Sequence, residues 1–127
     1  MNAILLDTHA WAWTFTLNAN LTQTAHFAIE QAQSVYVSPI SFFEIAQKFR
    51  LGKWPEVGPF VDRMVDIVEE QGSSVAALVP EVAKLAGAME FRTRDPFDRM
   101  LAATAIHLDL PIVSSDSVFD GVVTRIW

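Results

Sequence analysis

Cysteine is absent from the 127-residue chain, which excludes a disulfide framework and any metal site built on thiolates. Basic residues are scarce, because 9 lysines and arginines face 15 aspartates and glutamates, for a formal net charge of −6 and a pI near 4.8. Taken alone, this balance argues against a nucleic-acid-binding protein, which usually carries net positive charge. Acids that hold metal ions would change that argument, since a bound cation reverses the local field.

Long apolar runs are also missing. No stretch approaches the roughly 20 apolar residues that span a bilayer. The opening MNAILLDTHAW lacks the basic start and long apolar segment of a secretory signal. We therefore expect a soluble, cytoplasmic protein with no membrane partner. The hydrophobic fraction of 51% is sufficient for one core, so residues 1–127 are predicted to form a single domain.

Short apolar runs alternate with helical patterns along the whole chain. Strands are predicted at residues 3–6, 35–37, 74–79, 111–113 and 122–124, and helices at 9–15, 22–32, 39–51, 60–71, 80–89 and 96–108, with 54–59 as a connection. This alternation is typical of parallel sheets covered on both faces. The predicted fold is a three-layer α/β/α sandwich around a mostly parallel sheet of about five strands.

Carboxylates occur near the carboxyl ends of the predicted strands, where open parallel sheets bind ligands. Asp7 directly follows the first strand, Asp116 shortly follows the fourth, Glu44 lies within two turns of the second, and Asp98 begins the helix before the fourth. If the first and fourth strands are neighbours, all of these acids can converge on one edge.

Each acid alone has an ordinary structural explanation. Asp7 and Asp116 could be helix N-caps, Glu44 could complete a capping box with Ser41, and Asp98 could complement a helix dipole. Together they would repel one another unless a cation joined them. Mg²⁺ and Mn²⁺ select oxygen ligands and can activate water beside a phosphate. The set therefore favours metal-dependent phosphodiester hydrolysis.

Four segments of the chain resemble the motifs of PIN-domain ribonucleases, and most closely those of VapC toxins from toxin–antitoxin pairs. They are LLDTHAWAW at Leu5–Trp13, SPISFFEIAQK at Ser38–Lys48, DPFDRMLAATA at Asp95–Ala105 and IVSSDSVFD at Ile112–Asp120. Each motif alone is weak evidence, although DPFDR is fairly specific, and the order and spacing agree along the chain. One departure is small: Ser114 stands where the family often has threonine, and the hydroxyl is kept.

This resemblance implies an endoribonuclease dependent on Mg²⁺ or Mn²⁺, in which a metal-activated water hydrolyses RNA. The catalytic and metal-binding acids would be Asp7, Glu44, Asp98 and Asp116. The family also implies a homodimer and a cognate VapB-like antitoxin bound over the active site.

Other polar residues near these acids are candidates for supporting roles. Thr8, Ser114 and Ser115 could orient carboxylates or water. Basic residues near Glu44 and Asp98 could position RNA phosphates; they are Lys48, Arg50, Arg94 and Arg99. An ordinary solvated face also explains them, and Arg99 could instead pair with a neighbouring carboxylate.

Aromatic residues and the remaining acids are interpreted as structural. His9 could border the cleft, but Trp11, Trp13 and Phe15 are assigned to the core or a dimer contact rather than to base stacking. Asp95 is predicted to be a helix cap.

Two other functions are disfavoured because the chain lacks residues that they require. An aspartyl phosphatase needs a second Asp two residues after the first, where this chain has His9, and a phospho-receiver domain needs a late lysine, whereas none follows Lys84. The remaining alternative is a non-catalytic PIN-like module that binds RNA or protein.

Overall fold

The central sheet has five short parallel strands in the computed structural model, which describes residues 2–127. They are β1 (Ala3–Leu6), β2 (Ser34–Val37), β3 (Ser74–Val75), β4 (Ile112–Val113) and β5 (Arg125–Ile126). Their order is β3-β2-β1-β4-β5, and every neighbouring pair is parallel. β1 and β4 are therefore adjacent, as convergence of the acids requires.

In the described part of the chain, six α-helices connect the strands: α1 (Thr8–Thr16), α2 (Gln23–Gln31), α3 (Pro39–Arg50), α4 (Met64–Glu70), α5 (Pro80–Ala88) and α6 (Pro96–Leu108). Polar side chains cap the helices that begin near the acids. Asp7 caps α1, while Ser38 and Asp95 precede the prolines that open α3 and α6. A proline at the first helical position loses no hydrogen bond, so these starts are fixed by local sequence.

Alternate residues of β1 face opposite layers. Ile4 and Leu6 pack in the cluster that contains Trp11 and Ile45, whereas Leu5 packs with Leu101 of α6 on the other face. The predicted α/β/α sandwich is confirmed. No helix within residues 2–127 is long and apolar enough to cross a membrane.

Several element boundaries differ from the sequence prediction. Strand β3 ends at Val75 rather than residue 79, because its partner β2 ends at Val37. Residues 122–124 are not the fifth strand: the N–H groups of Val122 and Val123 turn back to the Phe119 carbonyl, and β5 begins at Arg125.

The segment predicted as a connection followed by a helix from residue 60 is also different. A 3-10 helix covers Pro55–Arg63, and the α-helix begins only at Met64. Pro59 lies inside that 3-10 helix, and since proline has no N–H to donate, it prevents a regular α-helix there.

Candidate active site

The four predicted acids line one cavity of about 490 Å³ at the carboxyl ends of β1 and β4. Its wall also includes Asp95 and Lys48. Among the described residues that line it, five carboxylates therefore face one ammonium group. Each acid arrives from a separate segment, and the parallel sheet brings those segments together.

Asp7 is fixed in place by its surroundings. Its main-chain N–H donates to the Val113 carbonyl at 3.0 Å, and its Oδ1 accepts the Ala10 N–H at 2.7 Å. Burial raises the pKa of Asp7 to about 6, although hydrogen bonds from Ser114 and Ala10 oppose the shift. The nearby charges of Glu44 and Asp116 raise this pKa further.

Asp98 lies in the first turn of α6. Burial raises its pKa to about 7, and the charges of Asp95, Asp116, Glu44 and Asp7 add to that effect. Both aspartates therefore hold protons more strongly than ordinary carboxylates do. Such shifts are frequent at functional sites, where like charges are gathered in a cleft.

Glu44 and Asp116 have different environments. Glu44 is only 5% exposed, and its Oε2 accepts a hydrogen bond from Lys48 Nζ at 2.6 Å. Asp116 is exposed and caps the short 3-10 helix Ser117–Phe119 by accepting the Val118 N–H at 2.9 Å. The capping-box interpretation of Glu44 is wrong, since Ser38 is the N-cap of α3 and Ser41 contacts Thr8.

Ser114 connects two of the acids. Its buried hydroxyl accepts the Asp116 N–H at 3.0 Å and lowers the pKa of the nearby Asp7 carboxyl. Thr8 lies within 2.9 Å of the Ser41 hydroxyl, which connects α1 to α3, and Ser115 lines the cavity at its exposed side. Ser114 thus has the contacts expected of a residue that orients a carboxylate.

The cavity lining fits a hard divalent cation, because it is rich in carboxylates. The pKa values of two of these carboxyls are raised, and a bound cation would offset the repulsion among the negative charges and lower them. Across residues 2–127, however, no three acidic or histidine side chains form a ready-made coordination group. Binding a cation would therefore have to draw the carboxylates closer together.

The predicted RNA-binding residues do not form one group. Lys48 lines the cavity, whereas Arg50 and Arg94 are exposed and lie outside its lining. The guanidinium of Arg99 donates to the carbonyls of Ala86, Thr93 and Met89. The suggested pairing of Arg99 with a carboxylate is therefore wrong, and these bonds favour a structural role over an RNA contact.

Some cavity residues were not predicted as part of the site. Asp95 caps α6 as expected, with its Oδ1 accepting the Phe97 N–H at 2.9 Å, yet it also lines the cavity. Trp13 and Ser117 line it as well, whereas His9, which the sequence placed as a possible border of the cleft, does line the cavity. Helical spacing offered a signal for the α1 residues, since His9 and Trp13 are four apart and share one face.

Comparison with known proteins identifies the family. Residues 4–123 match the PIN domain family. The chain is 31% identical over 120 residues to "Ribonuclease VapC22" of Mycobacterium tuberculosis, with 91% of this chain and 88% of that protein covered.

Two solved structures share the fold. One is a toxin–antitoxin complex from Klebsiella pneumoniae, with TM-score 0.64 at 16% identity over 98% of this chain and 96% of that chain. The other is VapBC2 from Rickettsia felis bound to a DNA fragment from the promoter, with TM-score 0.64 at 10% identity over 97% and 96%. The resemblance drawn from the four motifs is confirmed, and the chain belongs to the PIN domain family.

Proposed function

We propose that this protein is a metal-dependent endoribonuclease that acts as the toxin of a toxin–antitoxin pair. The observation that carries the proposal is the convergence of Asp7, Glu44, Asp98 and Asp116 on one cavity. The relative from Mycobacterium tuberculosis is named a ribonuclease, and its alignment includes most of this chain.

Asp7, Glu44, Asp98 and Asp116 would hold the cation, Mg²⁺ or Mn²⁺. When bound, it supplies an activated water and offsets the charge that develops on the phosphate. Asp7 is held by its hydrogen bonds with the Ala10 N–H and the Val113 carbonyl, so it needs little reorganisation. Lys48 offers a phosphate the ammonium group that now contacts Glu44.

The partners follow from the same family membership. We propose a VapB-like antitoxin, because the structures that share this fold include toxin–antitoxin complexes. A homodimer and a cytoplasmic location complete the proposal.

Cleavage of a panel of structured RNAs tests the nuclease directly. The purified protein, freed of any antitoxin, is incubated with Mn²⁺, with Mg²⁺ or with a chelator, beside Asp98→Asn. We expect cleavage only with a divalent cation and its loss in the variant. Cleavage that persists in chelator would refute the metal-dependent mechanism.

A non-catalytic PIN-like module that binds RNA or protein is the alternative. Such a module would tolerate loss of the acids, whereas Asp7, Glu44, Asp98 and Asp116 are all present in this chain. Calorimetric titration with Mn²⁺ separates the two, because a module without catalysis has no need to bind the ion. If the protein is a nuclease, we expect a saturable Mn²⁺ site whose affinity falls below about pH 6, where protons compete with the ion for Asp7 and Asp98.

A further inference from the structure

A second cavity of about 460 Å³ adjoins the acidic one. Its lining residues are His9, Trp13, Lys48, Lys53 and Trp54. The first three also line the acidic cavity, so the two cavities lie side by side and share part of their walls. The two cavities are therefore close enough for one extended ligand, such as a nucleic-acid strand, to contact both.

Aromatic rings form the wall of the second cavity. His9 stacks on Trp54 with ring centroids 4.6 Å apart and 27° between the planes. Trp13 meets His9 edge-on at 5.7 Å and contacts Trp127 at 5.8 Å. These contacts hold the rings of His9 and Trp13 in place while both stay partly exposed. Little side-chain entropy would be lost when a flat ligand packs against them.

Positive charge accompanies these rings in an otherwise acidic protein. Lys48 Nζ lies 6.0 Å from the Trp54 ring centroid. Lys53 is exposed and forms no ion pair within residues 2–127. Single-stranded nucleic acids are bound by this combination, in which bases stack on aromatic rings and ammonium groups follow the phosphates.

We propose that the second cavity binds the RNA nucleotide next to the scissile phosphate, with its base packed against Trp13 and His9 and its flanking phosphate beside Lys53. This inference rests on the proposed ribonuclease function. The cavity volume lies in the range of about 300–1,000 Å³ typical of small-ligand pockets, which suits one nucleotide. Trp13 thus has a ligand-binding role in addition to its packing against Trp127.

Binding of labelled single-stranded RNA tests the proposal without catalysis. The probes are fluorescein-labelled oligo(A) and oligo(U) decamers and an abasic decamer of the same length, with affinities measured by fluorescence anisotropy in chelator. Trp13→Ala is expected to weaken binding of the base-bearing decamers about tenfold, whereas Trp13→Phe keeps a stacking ring and stays within about threefold. The abasic decamer is expected to bind Trp13→Ala and the unmodified protein equally.

Lys53→Gln provides a second measurement that does not disturb the packing, since Lys53 is exposed. Losing one phosphate contact should reduce the slope of log affinity against log salt by about 0.7. The inference is overturned if folded Trp13→Ala binds all decamers with the affinity of the unmodified protein. It is also overturned if the substitution weakens binding of the abasic decamer as much as binding of the base-bearing decamers.

The nuclease proposal is decided separately, by cleavage of the RNA panel and by Mn²⁺ binding of the unmodified protein. Metal-dependent cleavage together with unchanged decamer binding by Trp13→Ala would refute this inference alone. A protein that binds the decamers through Trp13 but neither binds Mn²⁺ nor cuts RNA would refute the nuclease and leave a stacking site.

Discussion

Asp98 has a carboxylate whose charge is penalised by its position. Its pKa of about 7 stands against an ordinary value of 3.8, first because of burial and then because of neighbouring acids. A folded state with a raised carboxyl pKa binds more protons than the unfolded chain. Stability conferred by the neutral form is therefore present at low pH and lost as the pH rises from about 4 to about 7.

Asp98→Asn is expected to stabilise the metal-free protein above about pH 7 and to have little effect below about pH 4. The gain should be about 1–2 kcal/mol, less than the full pKa shift implies because the side chain is partly exposed and water screens the repulsion. Thermal unfolding across this pH range in chelator measures it. Asp120→Asn is the matched control, since Arg125 lowers the pKa of this exposed acid and no gain at neutral pH should follow.

Ser114 acts through the groups that it contacts. Its hydroxyl accepts the Asp116 N–H and favours the charged form of the nearby Asp7 carboxylate, whose pKa it lowers. Ser114→Ala removes both interactions and should raise the pKa of Asp7 further, because a bond that favours the charged carboxylate is lost. We expect Mn²⁺ affinity to fall about 10- to 100-fold, as is usual when a partner of a metal ligand is removed.

Calorimetric titration of Ser114→Ala with Mn²⁺ is the measurement. Ser114→Thr keeps the hydroxyl and should largely restore binding, while Ser115→Ala, at an exposed position of the same segment, should leave it almost unchanged. Equal Mn²⁺ affinity in Ser114→Ala and the unmodified protein would contradict a positioning role for this hydroxyl.

At the scale of elements, Arg99 joins α6 to α5 and to the segment between them. Its guanidinium donates to three carbonyls: Ala86 in the last turn of α5, Met89 directly after that helix, and Thr93 in the segment before α6. Arg99→Ala should lower the free energy of unfolding by about 2–4 kcal/mol, since these carbonyls lose a charged donor. The exposed Arg94→Ala should change it by less than about 0.5 kcal/mol. Urea unfolding of both variants measures these changes in the free energy of unfolding. Equal midpoints for the two variants would contradict a structural role for Arg99.

Local sequence signals predicted the elements that position the acids. The Ser38-Pro39 and Asp95-Pro96 starts and the cap at Asp7 are encoded within a few residues. The end of β3 depends on where its partner β2 ends, and the start of β5 depends on a turn that uses the N–H groups of Val122 and Val123. Neither fact can be read from a few neighbouring residues of the sequence. The contacts of Arg99 likewise depend on how α5 packs against α6.

The candidate site was likewise predictable where local sequence determines it, and not where it depends on tertiary contacts. Strand-then-acid spacing placed Asp7 and Asp116, because a parallel sheet gathers the carboxyl ends of its strands. Glu44 and Asp98 were placed by their positions on α3 and α6, and their convergence depended on β1 and β4 being neighbours.

The second cavity was not predictable, since it requires Trp54 from the 3-10 region to approach His9 of α1. The sequence pattern assigned Trp13 to the core or a dimer contact, although its position four residues after His9 placed it on the helix face that borders the acids.

At the scale of the whole molecule, the net charge of −6 is partly concentrated in one cavity. General screening of this charge by salt and specific binding of a cation both stabilise the fold, but only the second saturates. At a Mn²⁺ concentration about 100 times its Kd, a single site contributes about 2.7 kcal/mol, or roughly 8–13 °C in Tm for a chain of this size.

Thermal unfolding distinguishes the two when Mn²⁺ is compared with KCl at matched ionic strength. The unmodified protein and Asp120→Asn should gain the full increment with Mn²⁺ and only a small one with KCl. Asp98→Asn should lose at least about half of the Mn²⁺ increment, since it lacks one ligand, while keeping the KCl increment. If KCl reproduces the Mn²⁺ increment, or if Asp98→Asn retains it in full, the stabilisation comes from screening of the whole acidic molecule and not from a metal site.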